Sequence, residues 1–499
     1  MWILAVTILA SSIAFIDSTV VNVALPSLQA SFHATVVDVQ WMVESYGLFL
    51  GALILVGGSL GDLLGRRLMF VLGVAVFAAA SAGCGTASNV HRLIIARGIQ
   101  GVGGALLVPG SLAIISSSFD EKTRGRAIGT WSGFTAITTA LGPVLGGWLV
   151  EHASWRWVFF INLPLAAAVI AISLWHVPES RSATGGNVDW LGALAVTLGL
   201  GGLVYGFIES VNLGWDHPLV LGSLVEGCGC LILFLFIEAR VTSPMVPLRL
   251  FSSSTFSGSN LLTLFLYAAI GIFFFLFPLN LIQIQGYSAT AAGAAVLPLI
   301  LLIFLLSRWS GGLVMLYGPR LPLIIGPLVA ALGFVLFAVP SVGGSYWKTF
   351  FPAVIGLGLG MAITVAPLTT VVMNSVGQDY VGAASGINNA VARVAGVLAI
   401  AVLGIVMVNA FSRRLNDDLT RISTPPNVLP ADVLREIKAN EIRLADLPLP
   451  TSLDDTTKLV IRDSVGKAFV FGFRIVMLIC ASLAVTSAML ASVMIPEAR

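Results

Sequence analysis

Long apolar runs recur along almost the whole chain and are separated by short polar connections. A run of about 20 apolar residues can cross the ~30 Å hydrocarbon core of a bilayer as a helix. By this criterion the pattern predicts about fourteen membrane-spanning helices. They cover roughly residues 3–27, 41–60, 68–87, 93–115, 127–150, 158–177, 190–208, 219–238, 256–280, 291–313, 321–340, 350–373, 383–411 and 468–495.

The first apolar run and the longest polar segments need separate interpretation. The first apolar run is too long for a signal-peptide core and lacks a basic leader, so we interpret it as a span. Residues 178–189 form a polar, Gly-rich connection, and residues 412–467 form a long segment with nine basic and nine acidic residues. For 412–467 the sequence leaves two alternatives, a small folded hairpin or a disordered loop.

Composition places the chain in the membrane class. Of 499 residues, 57% are apolar and 10% are charged, and the mean hydropathy is +0.97. Soluble domains carry about 25% charged residues, so this chain lacks the charge to solvate a soluble surface. The net charge of +2 and the absence of a basic block argue against a nucleic-acid partner. Cys84, Cys228, Cys230 and Cys480 all lie in apolar runs, which predicts buried structural thiols rather than zinc ligands or disulfides.

The distribution of Lys and Arg predicts the orientation. With a cytoplasmic N-terminus, the cytoplasmic connections and the C-terminal end hold eleven basic residues and the short outer connections hold three. Since basic residues favour the cytoplasmic side, both ends of the chain are expected there, in a multi-pass protein of the cytoplasmic membrane. The 412–467 segment then lies outside.

Two motifs occur twice in the chain. Gly58–Arg67 has a counterpart at Gly311–Arg320, at an offset of 253 residues. The glycines around 101–129 have a counterpart around 358–386, at an offset of 257. Spans 1–6 therefore correspond to spans 9–14, and spans 7 and 8 are additional. Two parallel six-span halves, with the substrate handled between them, are the plan of one large transporter class.

This duplication predicts an all-α polytopic membrane protein of two six-helix bundles plus two extra helices. The expected divisions are 1–178 for the first bundle, 179–254 for the two additional helices and 255–499 for the second bundle with its outer loop 412–467.

The Gly58–Arg67 segment has the properties of a tight cytoplasmic turn between two spans. Gly58 permits close helix approach and Gly65 permits a sharp turn. Asp62 can cap a helix or pair with a cation, and Arg66 and Arg67 remain at the positive inner interface. The segment resembles the signature of the Major Facilitator Superfamily, although Leu63 stands where that signature has an arginine.

Further segments resemble the fourteen-span drug–proton antiporters of that superfamily. They are Ile16–Pro26 in the first span, Arg97–Gly103 in the fourth, Gly142-Pro143 with Gly146 and Gly147 in the fifth (where Thr138 replaces a leading glycine), Trp155–Pro164, Asp189–Gly192, Pro247–Phe251 and Gly382–Arg393. The resemblance covers nearly the whole chain and implies export of hydrophobic or cationic drugs in exchange for protons.

Charges within spans are the candidate coupling residues, because each costs at least about 2.5–3.5 kcal/mol at the bilayer centre. Asp17 shares a face with small residues, so it can exchange protons or serve as a fixed ion-pair partner. Arg97 shares a stripe with Gln100, Gly101 and Gly104 and cannot release its proton, so it can set the potential around a carboxylate or be structural. Glu226 and Glu44 are further acids of uncertain role, and Glu44 is expected to reach the outer interface.

A drug-like substrate also needs an apolar and aromatic surface. Span 9 is rich in aromatic residues, and only a minority of them should line a pocket. Our candidates for the pocket are Asn22, Trp131, Phe134, Phe274, Gln283 and Arg393, with Arg393 divided evenly between structure and gating.

Three functional hypotheses follow. The first is a proton-coupled drug exporter, the second is an exporter or flippase of an endogenous metabolite or lipid, and the third is a transport-inactive sensor. No phosphate-binding loop and no nucleophile–base constellation is present, so neither ATP hydrolysis nor enzyme activity is expected, nor any cofactor or metal. The expected partners are drug-like molecules, protons and membrane lipids. The oligomeric state is open, with a monomer favoured because the glycine faces suit packing within one chain.

Overall fold

The computed structural model describes residues 2–119, 121–181, 188–242, 244–377, 380–422, 431–449 and 453–497. Within these ranges the regular secondary structure is helical, and thirteen helices are long and apolar enough to cross a membrane. Helix Glu121–His152 occupies the place of the predicted fifth span, and many of its side chains lie outside the described set. The expected all-α polytopic fold is therefore confirmed.

The helices follow the predicted order, and several extend beyond the apolar runs. In the first bundle they are α1 (Trp2–Phe32), α2 (Val36–Leu64), α3 (Arg66–Gly85), α4 (Val90–Ser118), α5 (Glu121–His152), α6 (Trp157–Phe160) and α7 (Asn162–His176). The two additional helices are α8 (Trp190–Leu213) and α9 (Pro218–Glu238). The second bundle has α10 (Ser254–Leu279), α11 (Ala289–Ala295), α12 (Leu297–Tyr317), α13 (Arg320–Phe337), α14 (Tyr346–Thr349), α15 (Phe351–Asn374), α16 (Val381–Ile422), α17 (Ala431–Ala439) and α18 (Asp455–Met494).

Short polar side chains begin several of these helices. Thr35 and Asp38 form a reciprocal capping box at α2, and Asn89, Asp189 and Asp454 each accept a backbone N–H of the first turn of α4, α8 and α18. Such caps satisfy N–H groups that have no partner within the helix. They fix the residues at which α2, α4, α8 and α18 begin.

Aromatic side chains fill the core of the second bundle. Phe273 stacks on Phe277 with ring centroids 5.0 Å apart, and both rings contact Phe337 at 4.8 and 5.1 Å. All three side chains are fully buried. Most of the aromatic residues of the ninth span therefore pack this bundle, while Phe274 is only half-buried.

The 412–467 segment contains folded structure. Helix α16 continues to Ile422, and α17 is followed by a 3₁₀ turn over Glu441–Asp446. Val433, Ile437 and Leu444 are buried against the second bundle's core. Among the described residues, the folded alternative is the one observed. We call the end of the molecule that carries this segment the loop face, and the opposite end, which carries Gly58–Arg67, the motif face.

The additional helices α8 and α9 lie at the periphery. They pack closely on each other, since a Cβ on Gly202 would lie 2.6 Å from the carbonyl oxygen of Ser223. Only Val220, Gly227 and Glu238 of α9 are buried. Cys228 on this helix is exposed and Cys230 is half-buried, contrary to the expected burial, because α9 has neighbours on one side only. Cys84 and Cys480 are buried as expected.

The aromatic core generates a stability prediction. We expect Phe277→Ala to lower the free energy of unfolding by about 3–5 kcal/mol, because it leaves a cavity among rings that cannot close it fully. Thermal unfolding in detergent measures this. Leu478→Ala is the control, since Leu478 is 49% exposed on the outside of the second bundle, and it should change stability little. Equal effects of the two substitutions would contradict this account of the core.

Candidate functional site

Asp17 and Arg97 form an ion pair inside the first bundle. The Arg97 Nη1 donates to Asp17 Oδ2 at 2.5 Å, and the Arg97 and Asp17 side chains are 2% and 0% exposed respectively. Asp17 comes from the middle of α1 and Arg97 from the second turn of α4, two helices that cross in the centre of the bundle. Buried charges persist only when they are paired and their remaining polar atoms are satisfied.

Three further polar side chains complete the pair. Gln100 Nε2 donates to Asp17 Oδ1 at 2.7 Å and to Ser81 Oγ at 2.9 Å, while its Oε1 accepts from Arg97 Nη1 at 2.7 Å. Asn162 Nδ2 donates to Asp17 Oδ1 at 3.2 Å. The carboxylate of Asp17 thus has three donors from α4 and α7, and the network ties α1, α3, α4 and α7 together.

Helix α2 closes the other side of Arg97. The Arg97 Nε donates to the carbonyl oxygen of Met42 at 3.1 Å, and the guanidinium lies 4.4 Å from the ring centroid of Tyr46. A guanidinium over an aromatic face gains a cation–π attraction. Asn162, Ser81 and Tyr46 are absent from the sequence-based candidates, although a polar residue in an apolar span is a signal that could have found Ser81 and Asn162.

Glu44 is buried on α2 instead of reaching the outer interface as expected. It is 0% exposed, and neither carboxyl oxygen has a hydrogen-bond partner among the described residues. Gln40 and Gly47, one turn to either side, contact Ile400 and Val397 of α16. By helical spacing Glu44 therefore faces the same contact between the first and second bundles.

The Gly58–Arg67 motif is held together within its own half. Asp62 pairs with Arg66 at 2.7 Å, and Glu179 accepts the backbone N–H groups of Arg67 and Leu68 at the start of α3. Gly65 has a φ of 127°, and a Cβ there would lie 2.8 Å from the Glu179 carboxylate. A side chain at this position would be strained by both backbone and space. Glu179 belongs to a connection whose sequence indicates only a polar linker.

The Gly142–Gly147 motif of α5 lies where helices of both halves approach it. A Cβ on Gly146 would overlap Val20 of α1, in the same half. A Cβ on Gly147 would overlap the carbonyl oxygen of Ala289 in α11, in the other half. Pro143 also contacts the other half, since a Cβ on Gly293 of α11 would overlap its carbonyl oxygen. Helix α5 therefore packs its small residues against both neighbours.

Polar contacts join the two halves at the loop face. Gln40 Nε2 donates to the carbonyl oxygen of Ile400 at 3.0 Å, and Gln283 Nε2 donates to Gln29 Oε1 at 3.0 Å. Gln29 Nε2 in turn donates to the carbonyl oxygen of Arg443 at 3.2 Å. These contacts and the α5–α11 packing close the loop face in this conformation.

Glu151 and Thr290 add a contact across the same closure. The backbone N–H of Thr290 donates to Glu151 Oε2 at 3.3 Å, and the Thr290 hydroxyl donates to the same oxygen. The hydroxyl bond is the main cause of a lowered pKa of Glu151. Because the closed form stabilises the carboxylate, this contact favours closure at neutral pH and is lost as the pH falls through that lowered pKa.

At the motif face, large apolar side chains near the ends of α12 and α2 are open. Met315 is 89% exposed, Leu316 is 74% exposed and Leu64 is 43% exposed. Met315 is the repeat counterpart of Asp62, so the second copy of the motif has an exposed apolar side chain where the first has an ion-paired acid. Among the described residues no hydrogen bond or ion pair joins Gly58–Arg67 to Gly311–Arg320, whereas several polar contacts join the two halves at the loop face.

The structure distributes the six candidate pocket residues over different environments. Trp131 is buried and donates from Nε1 to Ser11 Oγ at 3.0 Å, which fixes α5 on α1, and Gln283 belongs to the loop-face closure. Asn22 and Phe274 are half-buried, and Phe134 is 51% exposed.

Two candidates carry a charge without a described partner. Arg393 lies half-buried on α16 beside Gly51 of α2, and in the described part of the chain it has neither a hydrogen bond nor an ion pair. Glu226 is exposed on α9, remote from the Asp17 network, and it is likewise unpaired among the described residues. No group of acids, histidines and cysteines in these ranges could hold a metal ion.

Comparison with known proteins places this architecture in a family. The family model described as Major Facilitator Superfamily matches residues 7–400. The chain belongs to this superfamily. Membership makes it a transporter by family, and the two-bundle plan with two additional helices agrees with that assignment.

Individual members of the Major Facilitator Superfamily are similar over most of the chain. "Multidrug resistance protein Stp" of Mycobacterium tuberculosis is 34% identical over 85% of this chain and 78% of its own length. "Tetracenomycin C resistance and export protein" of Streptomyces glaucescens is 33% identical over 79% of this chain and 73% of its own length. A solved bacterial homologue of the human lysosomal transporter Spinster shares the fold, with a TM-score of 0.66, 16% identity and coverage of 98% of this chain and 97% of its own.

The buried ion pair generates a prediction about the free energy of unfolding, which separates the structural role of the pair from a role in proton coupling. We expect Asp17→Asn or Arg97→Gln alone to lower the free energy of unfolding by about 3–5 kcal/mol, because each leaves one buried charge unpaired. The double variant should recover most of this loss, since it buries no charge. Thermal unfolding of the three variants in detergent measures the effect, and a double variant as unstable as the single ones would contradict it.

The glycine contacts generate a second prediction, about conformation. Gly147→Ala inserts a methyl group between the two halves, so we expect it to shift the population toward a conformation with an open loop face. Gly146→Ala places a methyl group against α1 within one half, so it should lower stability without shifting that population.

Spin labels at Ala153→Cys and Ser341→Cys, both exposed at the loop face, report this opening by pulsed electron resonance. Cys228 and Cys230 are replaced by serine to prevent labelling elsewhere. The expected result is a longer distance in Gly147→Ala alone, and identical distance distributions in the two variants would refute the assignment of Gly147 to the closure.

Proposed function

We propose that this protein is a proton-coupled secondary active exporter of drug-like compounds across the cytoplasmic membrane. Relatives named for multidrug resistance and for tetracenomycin C resistance and export support the cargo class. The observation that carries the coupling is the buried Asp17–Arg97 pair, in a molecule whose two halves are joined by polar contacts at the loop face.

The proposed orientation has the motif face in the cytoplasm, with both ends of the chain on that side. Arg66 and Arg67 then lie at the inner interface, in agreement with the excess of Lys and Arg in the cytoplasmic connections. In the proposed cycle, the two bundles enclose a central cleft, and this conformation, with its loop-face contacts made, is the one that admits a solute from the cell interior. Export requires the contacts between α5 and α11 and between α2 and α16 to separate while the motif halves meet.

Proton exchange at Asp17 supplies the driving force in this proposal. The donors Arg97, Gln100 and Asn162 stabilise its carboxylate while the loop face is closed. When the loop face opens, water from the acidic exterior can reach the first bundle, and protonation weakens the pair with Arg97. Glu44 is the second proton-exchange residue, since it lies in the α2–α16 contact that opens and an ionised carboxylate without a partner is costly to bury.

The cleft favours a particular chemistry in its cargo. The charge that Asp17 offers is already neutralised by Arg97, whereas Arg393 has donors to spare among the described residues. A largely apolar compound with acceptor oxygens therefore suits the cleft better than a compound of multiple positive charge. The apolar and aromatic surface comes from half-buried or exposed residues such as Phe274 and Phe134.

Drug-induced proton release tests the coupling. Purified wild-type protein in weakly buffered detergent should release protons when a compound such as puromycin or tetracenomycin C is added, because binding and protonation are linked. The double variant Asp17→Asn/Arg97→Gln should bind without this release and should lose pH-driven efflux in proteoliposomes.

The double variant is used because it is expected to retain stability, and its thermal unfolding is checked first so that lost release is not attributed to unfolding. Glu44→Gln should reduce release and efflux partially. Release that persists in the double variant and disappears in Glu44→Gln would move the coupling site to Glu44. A wild-type protein that moves phospholipid or an endogenous metabolite, and none of the drugs, would support the alternative exporter function.

A further inference from the structure

A cavity of about 710 Å³ lies outside the central cleft, between α2 and the two additional helices. Its walls come from α2 with Phe49, from α8 with Gly201 and Gly202, and from α9 with Glu226. Drug-sized ligands occupy cavities of about 300–1,000 Å³. The cavity therefore has the size of a small-molecule site, and it faces the periphery of the fold, where α9 is largely exposed.

Glu226 places a carboxylate in this cavity. It is the ninth residue of α9, so it lies about 12 Å along the axis from the start of that helix, within the span. Its side chain is exposed into the cavity and has neither a hydrogen bond nor an ion pair in the part of the chain described. A carboxylate at such depth costs at least about 2.5–3.5 kcal/mol on insertion scales, which calls for a compensating partner.

The other lining residues suit an apolar body. Phe49, Leu198 and Tyr205 contribute apolar and aromatic surface beside the carboxylate, and the hydroxyl of Ser223 is nearby on α9. Gly222 leaves room, since nothing lies within 4 Å of a Cβ placed there. An aromatic surface next to a single carboxylate is the combination that attracts a lipophilic cation.

We propose that this cavity, formed by α2, α8 and α9 and containing Glu226, is a lateral binding site for lipophilic monocations that partition into the membrane. Charge complementarity selects this occupant over a lipid acyl chain, which would leave the carboxylate unpaired. The site assigns a role to the two additional helices, because two of its three walls come from them. It also complements the central cleft, where the unpaired charge of Arg393 is positive.

Tetraphenylphosphonium is a suitable probe, and tetraphenylborate is its counterpart of similar shape and opposite charge. Binding is measured by scintillation proximity on the full chain in phosphatidylcholine nanodiscs. We expect Glu226→Gln to weaken tetraphenylphosphonium binding about tenfold or more, since it removes the attracting charge in a partly desolvated site. Glu226→Lys should bind tetraphenylborate more tightly than wild type does.

Two glycines of α9 provide a matched steric pair. Gly222 and Gly229 both have open space where a Cβ would stand, but only Gly222 lines the cavity. Gly222→Leu should therefore weaken binding like Glu226→Gln, and Gly229→Leu should bind as wild type does. Glu226→Gln is nearly isosteric, so it keeps the test valid if Gly222→Leu inserts poorly.

Unchanged affinity for tetraphenylphosphonium in both Glu226→Gln and Gly222→Leu would overturn the proposal. Equal binding of the two tetraphenyl ions to the wild type would also overturn it, because it would indicate a groove for lipid chains. This site does not depend on the proposed export activity. Drug-driven proton release, measured on the same preparations, reports on the central site alone, so failure of one proposal is distinguishable from failure of the other.

Discussion

The Asp17–Arg97 pair is the interaction on which the architecture of the first bundle depends. In a medium without water, a carboxylate and a guanidinium are retained only if each satisfies the other and every remaining donor finds an acceptor. Here the two charges meet at 2.5 Å, and α2, α3, α4 and α7 each contribute a polar group or ring around them. Packing alone would allow α1 to slide or rotate; the hydrogen bonds define one register for it.

The same helix, α1, connects this pair to the closure between the halves. One face of α1 carries Asp17, and its following turn carries Val20, against which Gly146 of α5 packs. The next residue of α5, Gly147, contacts α11 of the other half. A change in the position of α1 is therefore transmitted through α5 to the second bundle by close helix packing, without a flexible side chain between them. This contiguity would give the proposed proton site at Asp17 a physical connection to the glycine motif of α5.

Much of the fold could be predicted from the sequence, because span length and hydropathy are properties of the chain alone. The spans, their order, the duplication and the two additional helices all follow from apolar runs and repeated motifs. Asp17 and Arg97 could be singled out as buried charges, and Gln100 could be placed on the Arg97 stripe. That Asp17 and Arg97 meet could not be predicted, because it depends on the rotation and relative height of two helices that are 80 residues apart in the chain.

For other residues too, the sequence does not show which distant partner decides their position. Glu179 lies in a connection whose composition indicates only polarity, yet its carboxylate caps α3 against the Gly65 turn. Glu44 is expected near water because it is close to a span end, but Val397 and Ile400 of α16 pack on that face of α2. Trp131 is predicted to line the pocket, but the hydroxyl of Ser11 on α1 provides the partner that directs it inward. In each case the deciding partner comes from another part of the chain.

Among the unpaired charges of the described chain, Arg393 and Glu226 lie in two different chemical environments. Arg393 lies between the bundles, where a solute entering from the motif face would meet a donor, and Glu226 lies outside them, where a solute dissolved in the membrane would meet an acceptor. An acid on a peripheral helix is costly, and α9 has few tertiary contacts that could compensate it. Helix α8 links the two environments, because it packs on both α2 and α9 while α2 also contacts Arg393 on α16. A solute held beside Glu226 lies against α2 and α8, two helices that both pack on α16. In the proposed transport cycle, the contact between α2 and α16 loosens when the loop face opens.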